Sequence, residues 1–221
     1  MMWAFADPTG AFAPSILNPL PGTIRVATAL ALGALAGVVC ERAGVVNIAI
    51  EGQFASSAFL SSVFCSFAVA SLGGIPLFWT PVLGLVGGII AGVGVAAMLG
   101  FFALRYHVDQ VVVGVVLVTF GYGITSFLLG QIPSDKKGDL NNPHLLENVE
   151  IPGLADIPYV GQPLFNQTLL VYIAYLSVPL LWFLLFQTRW GLRVRAVGEH
   201  PKAADTVGVN VNRVRWQAVL L

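Results

Sequence analysis

PLFWTPVLGLVGGIIAGVGVAAMLGFFAL, Pro76 to Leu104, runs through the middle of the chain without one charged side chain. A helix crossing the hydrocarbon of a bilayer needs roughly 20 mainly apolar residues. Lipid offers no partner for an open peptide group, so the segment must satisfy its own backbone. This stretch is longer than the minimum. It predicts a spanning helix that tilts or begins in the interface.

Four more runs share this character: Thr23 to Cys40, Val45 to about Ala70, Val111 to Leu129, and Thr168 to Phe186. Apolar residues resume at Trp216, and Leu221 is the last residue. The chain has 221 residues, of which 57% are hydrophobic and 10% charged, against roughly 25% charged in soluble domains. The expectation is an all-α, polytopic transmembrane helix bundle, with about five spans plus the start of a sixth in a single domain over residues 1–221. Stopping just inside an apolar run makes a C-terminal truncation of a longer protein part of that expectation. Eleven basic and 11 acidic side chains cancel, so no bulk charge points to nucleic acid. Cys40 and Cys65 lie inside apolar runs and read as small packing residues.

Lys and Arg accumulate in cytoplasmic loops. With the N-terminus outside, the inner loops hold Arg42, Arg105, Arg189, Arg193, Arg195, Lys202, Arg213 and Arg215; the outer side holds only Arg25, Lys136 and Lys137. Residues 1–22 contain Pro8, Pro14, Pro19 and Pro21 and read as an irregular outer tail. The outer loop, 130–167, contains Pro133, Pro143, Pro152, Pro158 and Pro163 and cannot be one long helix. It is either a flexible surface loop or a cap that meets a soluble partner.

Gly84, Gly88 and Gly92 follow one another at GxxxG spacing, and Gly33 and Gly37 repeat it in the first run. Missing side chains at that interval let two helix backbones approach. Ordinary packing inside the bundle is the expectation, with a dimerisation face as the lesser reading.

One segment breaks the apolar pattern: CERAGVVNIAIEGQF, Cys40 to Phe54. Asn47 and Glu51 are four apart and would share a face of a helix, with Gln53 close behind. A carboxylate inside a membrane usually faces a bundle interior or an aqueous path. Asn47, Glu51 and Gln53 are therefore candidates for a substrate path. The plainer reading places Glu51 near the headgroups. Gly44 and Gly52 permit a chain break or a close helix approach.

The inner loop, 188–215, is the most polar internal stretch. Pro201 suits the first position of a helix and Gly208 its stop. Between them, Lys202 to Val207 would form an isolated short helix, which is marginal alone and needs a partner surface.

Three stretches carry a family likeness. ERAGVVNIAIEGQF, Glu41 to Phe54, resembles the segment near the start of bacterial ABC-transporter permeases for nucleosides and simple sugars. IPGLADIPYVGQPLFNQTLLVYIAYL, Ile151 to Leu176, looks like the outer loop and following span of the nucleoside branch. TRWGLRVRAVGEHPKAADTVGVNVNRVRWQAVL, Thr188 to Leu220, resembles the cytoplasmic coupling loop. The resemblance implies a multi-pass protein of the bacterial inner membrane and an importer with several parts. A binding protein delivers substrate outside, a second permease subunit completes the path, and ABC ATPases bind inside. It also implies a coupling helix with an Ala-Ala-x-x-x-Gly core, here Ala203, Ala204 and Gly208, flanked by Pro201, Lys202 and Asp205. The wider importer motif has Glu where this chain has Lys202. Roughly four more spans would follow in the family. Nucleosides fit the branch resemblance; ribose-like sugars are the second choice.

The chain contains no GxxxxGK[ST] phosphate loop, so ATP hydrolysis is expected in a partner chain. No cofactor or metal is expected. An intramembrane enzyme would need a nucleophile and base at membrane depth, but His107, His144 and His200 all fall in loops. An ion-coupled secondary transporter would need buried ionisable groups, for which Glu51 is the one strong candidate. A non-transporting truncated membrane protein is the other alternative. If Glu51 lines a path, Glu51→Leu should impair uptake while membrane insertion stays intact; unchanged uptake would contradict that role.

Overall fold

The computed structural model describes residues 20–71, 79–132, 148–151 and 164–221. The tail through residue 19, residues 72–78 and most of the expected outer loop, 130–167, lie outside the described residues. In chain order the elements are α1 (Leu20–Arg42), α2 (Ile50–Ser71), α3 (Trp79–Gly100), α4 (Gln110–Gln131), β1 (Asn148–Glu150), β2 (Asn166–Thr168), α5 (Leu169–Gln187), α6 (Arg189–Glu199), α7 (Pro201–Thr206) and α8 (Val211–Leu220). A π-helical turn, Phe101–Arg105, continues α3.

Four described helices are long and apolar enough to cross a membrane: Leu20–Arg42, Trp79–Arg105, Gln110–Gln131 and Leu169–Gln187. α2, with 22 residues, would extend about 33 Å at 1.5 Å per residue and covers most of the remaining expected run, Val45 to about Ala70. Only 17 to 28% of each apolar window is buried within the molecule. The rest of those surfaces needs lipid or another protein around it. α1 starts at Leu20, ahead of the expected Thr23, because Pro21 is tolerated in a first helical turn, where its missing N–H has no partner to lose.

The chain divides into two compact units. The first takes residues 20–35 of α1, the β1–β2 ribbon and α5 through Trp182. β1 pairs antiparallel with β2, Val149 opposite Gln167. A ribbon this short is marginal by itself, and side chains brace it. Arg25 Nη2 donates to Asn148 Oδ1 at 2.8 Å and Nε to Gln167 Oε1 at 3.2 Å. The Tyr172 hydroxyl lies 2.8 Å from the Val149 carbonyl and 2.6 Å from that of Phe165. Arg25, expected on the outer side, thus has a structural use.

The second unit takes residues 36–42 of α1, α2 to α4, and the chain from Phe183 onward. Its helices meet through glycine. A Cβ at Gly84 would lie 3.1 Å from the Ser61 carbonyl oxygen, one at Gly87 3.0 Å from that of Leu60, and one at Gly92 3.0 Å from Ser57 Oγ. The GxxxG stripe of α3 therefore packs against the serine-bearing face of α2, as ordinary packing inside the chain. α4 comes closer still: Gly121 of α4 lies against the main chain of Gly52, and Gly52 of α2 lies against that of Leu117 and Val118. Ala49, Val95, Leu99, Val113 and Leu117 fill the space beside this contact as a buried apolar cluster.

Gly52→Ala would put a Cβ 2.7 Å from the Leu117 carbonyl oxygen and 2.9 Å from Val118 Cα. Overpacking of this kind costs about 1–3 kcal/mol. The substitution should lower the thermal midpoint in detergent, whereas Gly94→Ala, which meets nothing within 4 Å, should leave it unchanged or raise it.

Candidate coupling site

Three connections meet at one end of the second unit: residues 43–49, 106–109 and the segment after α5. The first begins where α1 stops. Val45 N–H donates to the Cys40 carbonyl at 3.0 Å and Gly44 N–H to that of Glu41 at 2.9 Å, the paired bonds of a Schellman cap. Gly44 has φ +74°, the left-handed conformation that suits glycine. α7 ends the same way. Val209 N–H reaches the Ala204 carbonyl at 3.0 Å, Gly208 N–H reaches that of Asp205 at 2.9 Å, and Gly208 has φ +84°.

The three connections are pinned to one another. Val46 N–H donates to Gln110 Oε1 at 2.7 Å. Arg215 Nε donates to the Ala43 carbonyl at 3.3 Å. Gly198 of α6 lies directly against the Arg42 carbonyl, where no Cβ would fit. A cavity of about 1050 Å³ opens among them, lined by Arg105, His107, Asp109, Lys202, Asp205 and Arg215 together with apolar residues such as Val46 and Val111. Asp109 is already engaged: its Oδ1 caps α4, accepting from Val111 N–H at 2.8 Å and Val112 N–H at 3.2 Å.

α7 runs from Pro201 to Thr206, with Pro201 in its first turn. This is close to the expected Lys202–Val207. It is not isolated, however. It packs against α6 and α8, and Ala204 is buried. Much of the supporting surface is supplied by the chain itself. Lys202, Ala203, Asp205, Thr206 and Val207 stay exposed, and Val207 is 78% exposed. The pair Ala203 and Ala204 thus divides between an outer and an inner face.

The expected shared face of Asn47 and Glu51 does not form. Asn47 lies before α2 and its Oδ1 accepts from Ala49 N–H at 3.1 Å. That side chain offers the backbone a turn in place of a helix, so α2 begins only at Ile50. Glu51 sits exposed in the first turn of α2, where the helix dipole favours an anion. Gln53 is half-buried and two residues on, about 200° around the helix. Gly44 and Gly52 do serve as the turn and the close approach expected of them.

Two further helices depart from expectation, α6 as an addition and α8 in its start. α6 is an 11-residue helix whose buried side is Gly191, Val194 and Val197, started by Thr188 accepting from Gly191 N–H. Its arginines obscured an amphipathic period. α8 starts at Val211 rather than Trp216, because the Asn210 side chain caps it by accepting from Arg213 N–H at 2.9 Å. Both capping residues were readable signals.

Comparison with known proteins bears on what this arrangement serves. Residues 20–221 match the family described as branched-chain amino acid transport system / permease component. The chain belongs to that permease family. It is a multi-pass membrane protein. It is 37% identical to the guanosine ABC transporter permease protein NupQ of Bacillus subtilis over 203 residues, covering 91% of this chain and 62% of the relative. It is 35% identical to the nucleoside ABC transporter permease protein NupC of Lactococcus lactis, covering 88% of this chain and 60% of the relative. It is also 35% identical to a Haloferax volcanii protein provisionally named a glucose ABC transporter permease, covering 95% of this chain and 59% of the relative. The chain thus spans about three-fifths of the length of these relatives. No solved structure matches it significantly. The resemblance read from the three sequence stretches is borne out at the level of the family.

A side chain at Gly208 would strain its left-handed backbone by about 1–2 kcal/mol. Gly208→Ala should therefore loosen α7 and speed tryptic cleavage after Lys202, while Val207→Ala, at an exposed position, should not.

Proposed function

We propose that this permease is the membrane-spanning subunit of an ATP-driven ABC importer for nucleosides, with simple sugars as the second choice. The observation that carries the reading is α7 in a chain of this family. It is a capped six-residue helix, held on one side by Ala204 and presenting Lys202, Ala203 and Asp205 outward. Such a helix is suited to enter a cleft on a cytoplasmic ATPase, which would hydrolyse ATP in its own chain. The names of the relatives NupQ and NupC favour a nucleoside.

The same reading assigns the remaining parts. Residues 1–221 act as a single permease domain of the inner membrane, with the N-terminus outside and the α7 end inside. A second permease subunit completes the path, and an extracytoplasmic binding protein delivers substrate to the side of the β1–β2 ribbon. Glu51 and Gln53 remain candidate path residues on α2. For Asn47 the turn it makes with Ala49 supports a positioning part at the start of α2.

Co-purification with the ATPase tests the reading. Deleting Lys202 to Val207 should abolish it, and so should Ala203→Arg, which alters an exposed position and leaves the buried Ala204 alone. Retained assembly with the Ala203→Arg variant at normal membrane levels would refute the docking role.

A further inference from the structure

α8 follows α7 after only Val207 to Asn210, and it touches the ends of three other helices. The indole of Trp216 lies against Gly100, where a Cβ would come 2.9 Å from its Cζ3 and 3.1 Å from its Cη2. Arg215 holds the Ala43 carbonyl beyond the end of α1, and Cys40 Sγ donates to the Ala218 carbonyl at 3.5 Å. Trp190 Nε1 of α6 donates to Gln217 Oε1 at 3.2 Å. Val219 joins a buried cluster with Cys40, Val45, Ala96 and Leu104, with Trp216 against it.

The seat of Trp216 is a particular place on α3. Gly100 is the last α-helical residue, and the π-helical turn begins at Phe101. A π turn holds one more residue per hydrogen-bonded ring than an α turn, and such turns are frequent at functional sites. Exchange between the two spacings lets the end of a span rotate while its backbone groups keep partners.

We propose that α8 is the lever that carries a displacement of α7 into the spans, and that Trp216 seated on Gly100 is its contact with α3. Trp216 is then a positioning residue for transport. This rests on the coupling reading of α7 and adds the path by which that helix acts. A push on α7 moves α8, because the link between them is short and capped at both ends by Gly208 and Asn210. The indole presses on Gly100, and the π turn beyond it yields. Glycine is required at the seat because any side chain would lift the ring off the helix.

The test is the ATP consumed per molecule imported by the assembled transporter in liposomes, with radiolabelled guanosine as probe, or ribose where guanosine is not imported. The ATPase that co-purifies is measured alongside. Trp216→Ala and Gly100→Val should each keep the ATPase at the wild-type level and raise the ATP consumed per import by about fivefold or more, the lower edge of ordinary coupling between sites. Trp216→Phe, which restores an aromatic ring against Gly100, should recover most of the wild-type ratio. An unchanged ratio in both disruptive variants overturns the proposal. So does a matched fall in membrane content and ATPase retention, because the contact would then only hold the fold. A wild-type protein that retains no ATPase defeats the functional reading itself, and so the two failures are distinguished.

Discussion

The contact between Gly52 and Gly121 is the constraint around which the second unit is built. In lipid, apolar side chains gain little by leaving one apolar surface for another, so helices associate through close packing. With no Cβ on either residue, the main chains of α2 and α4 can touch. That approach brings Val113 and Leu117 of α4 onto Val95 and Leu99 of α3, with Ala49 at the start of α2 among them. Gly114 continues the same contact against Ile48. The turn before α2 is thereby held to α4, and the bond from Val46 N–H to Gln110 follows from it.

From that point the end of the unit that carries α7 is organised by helix termini rather than by span surfaces. A helix leaves unpaired N–H groups at its start and unpaired carbonyls at its end. Here the stops are Schellman caps at Gly44 and Gly208, and the starts are side-chain caps from Asp109, Thr188 and Asn210. These caps make sharp corners. The three short helices α6, α7 and α8 can then fold back on one another in a small space, leaving the cavity between the α3–α4 connection and α7. α7 owes its order to this frame: its own six residues are too few to sustain a helix, and the burial of Ala204 compensates.

The two short-range devices that matter most were present as sequence patterns. Glycine at 44 and at 208 stood where chain reversals were needed, and Pro201 with Gly208 bracketed α7 to within a residue. The reading went astray where a side chain competes with the helix. Asn47 suits the i, i+4 pairing with Glu51, but its amide captures Ala49 N–H, so the two residues do not share a face. Periodicity counts residues and does not register that competition. α6 escaped notice for the opposite reason: its charges drew attention from Gly191, Val194 and Val197, which repeat at helical spacing.

The amino-acid sequence by itself determined that this chain lives in a membrane as a helix bundle, because apolar length and the placement of charge are summed along the chain and need no neighbours. It also determined where most helices start and stop, since capping is a matter of a few adjacent residues. Tertiary structure alone decided which glycines meet which backbones, that Trp216 sits on Gly100, and that α7 is braced by α6 and α8. The glycine contacts and the seat of Trp216 join residues far apart in the chain, the bracing of α7 needs its neighbours folded back on it, and only the packing of whole helices sets the register in which they meet.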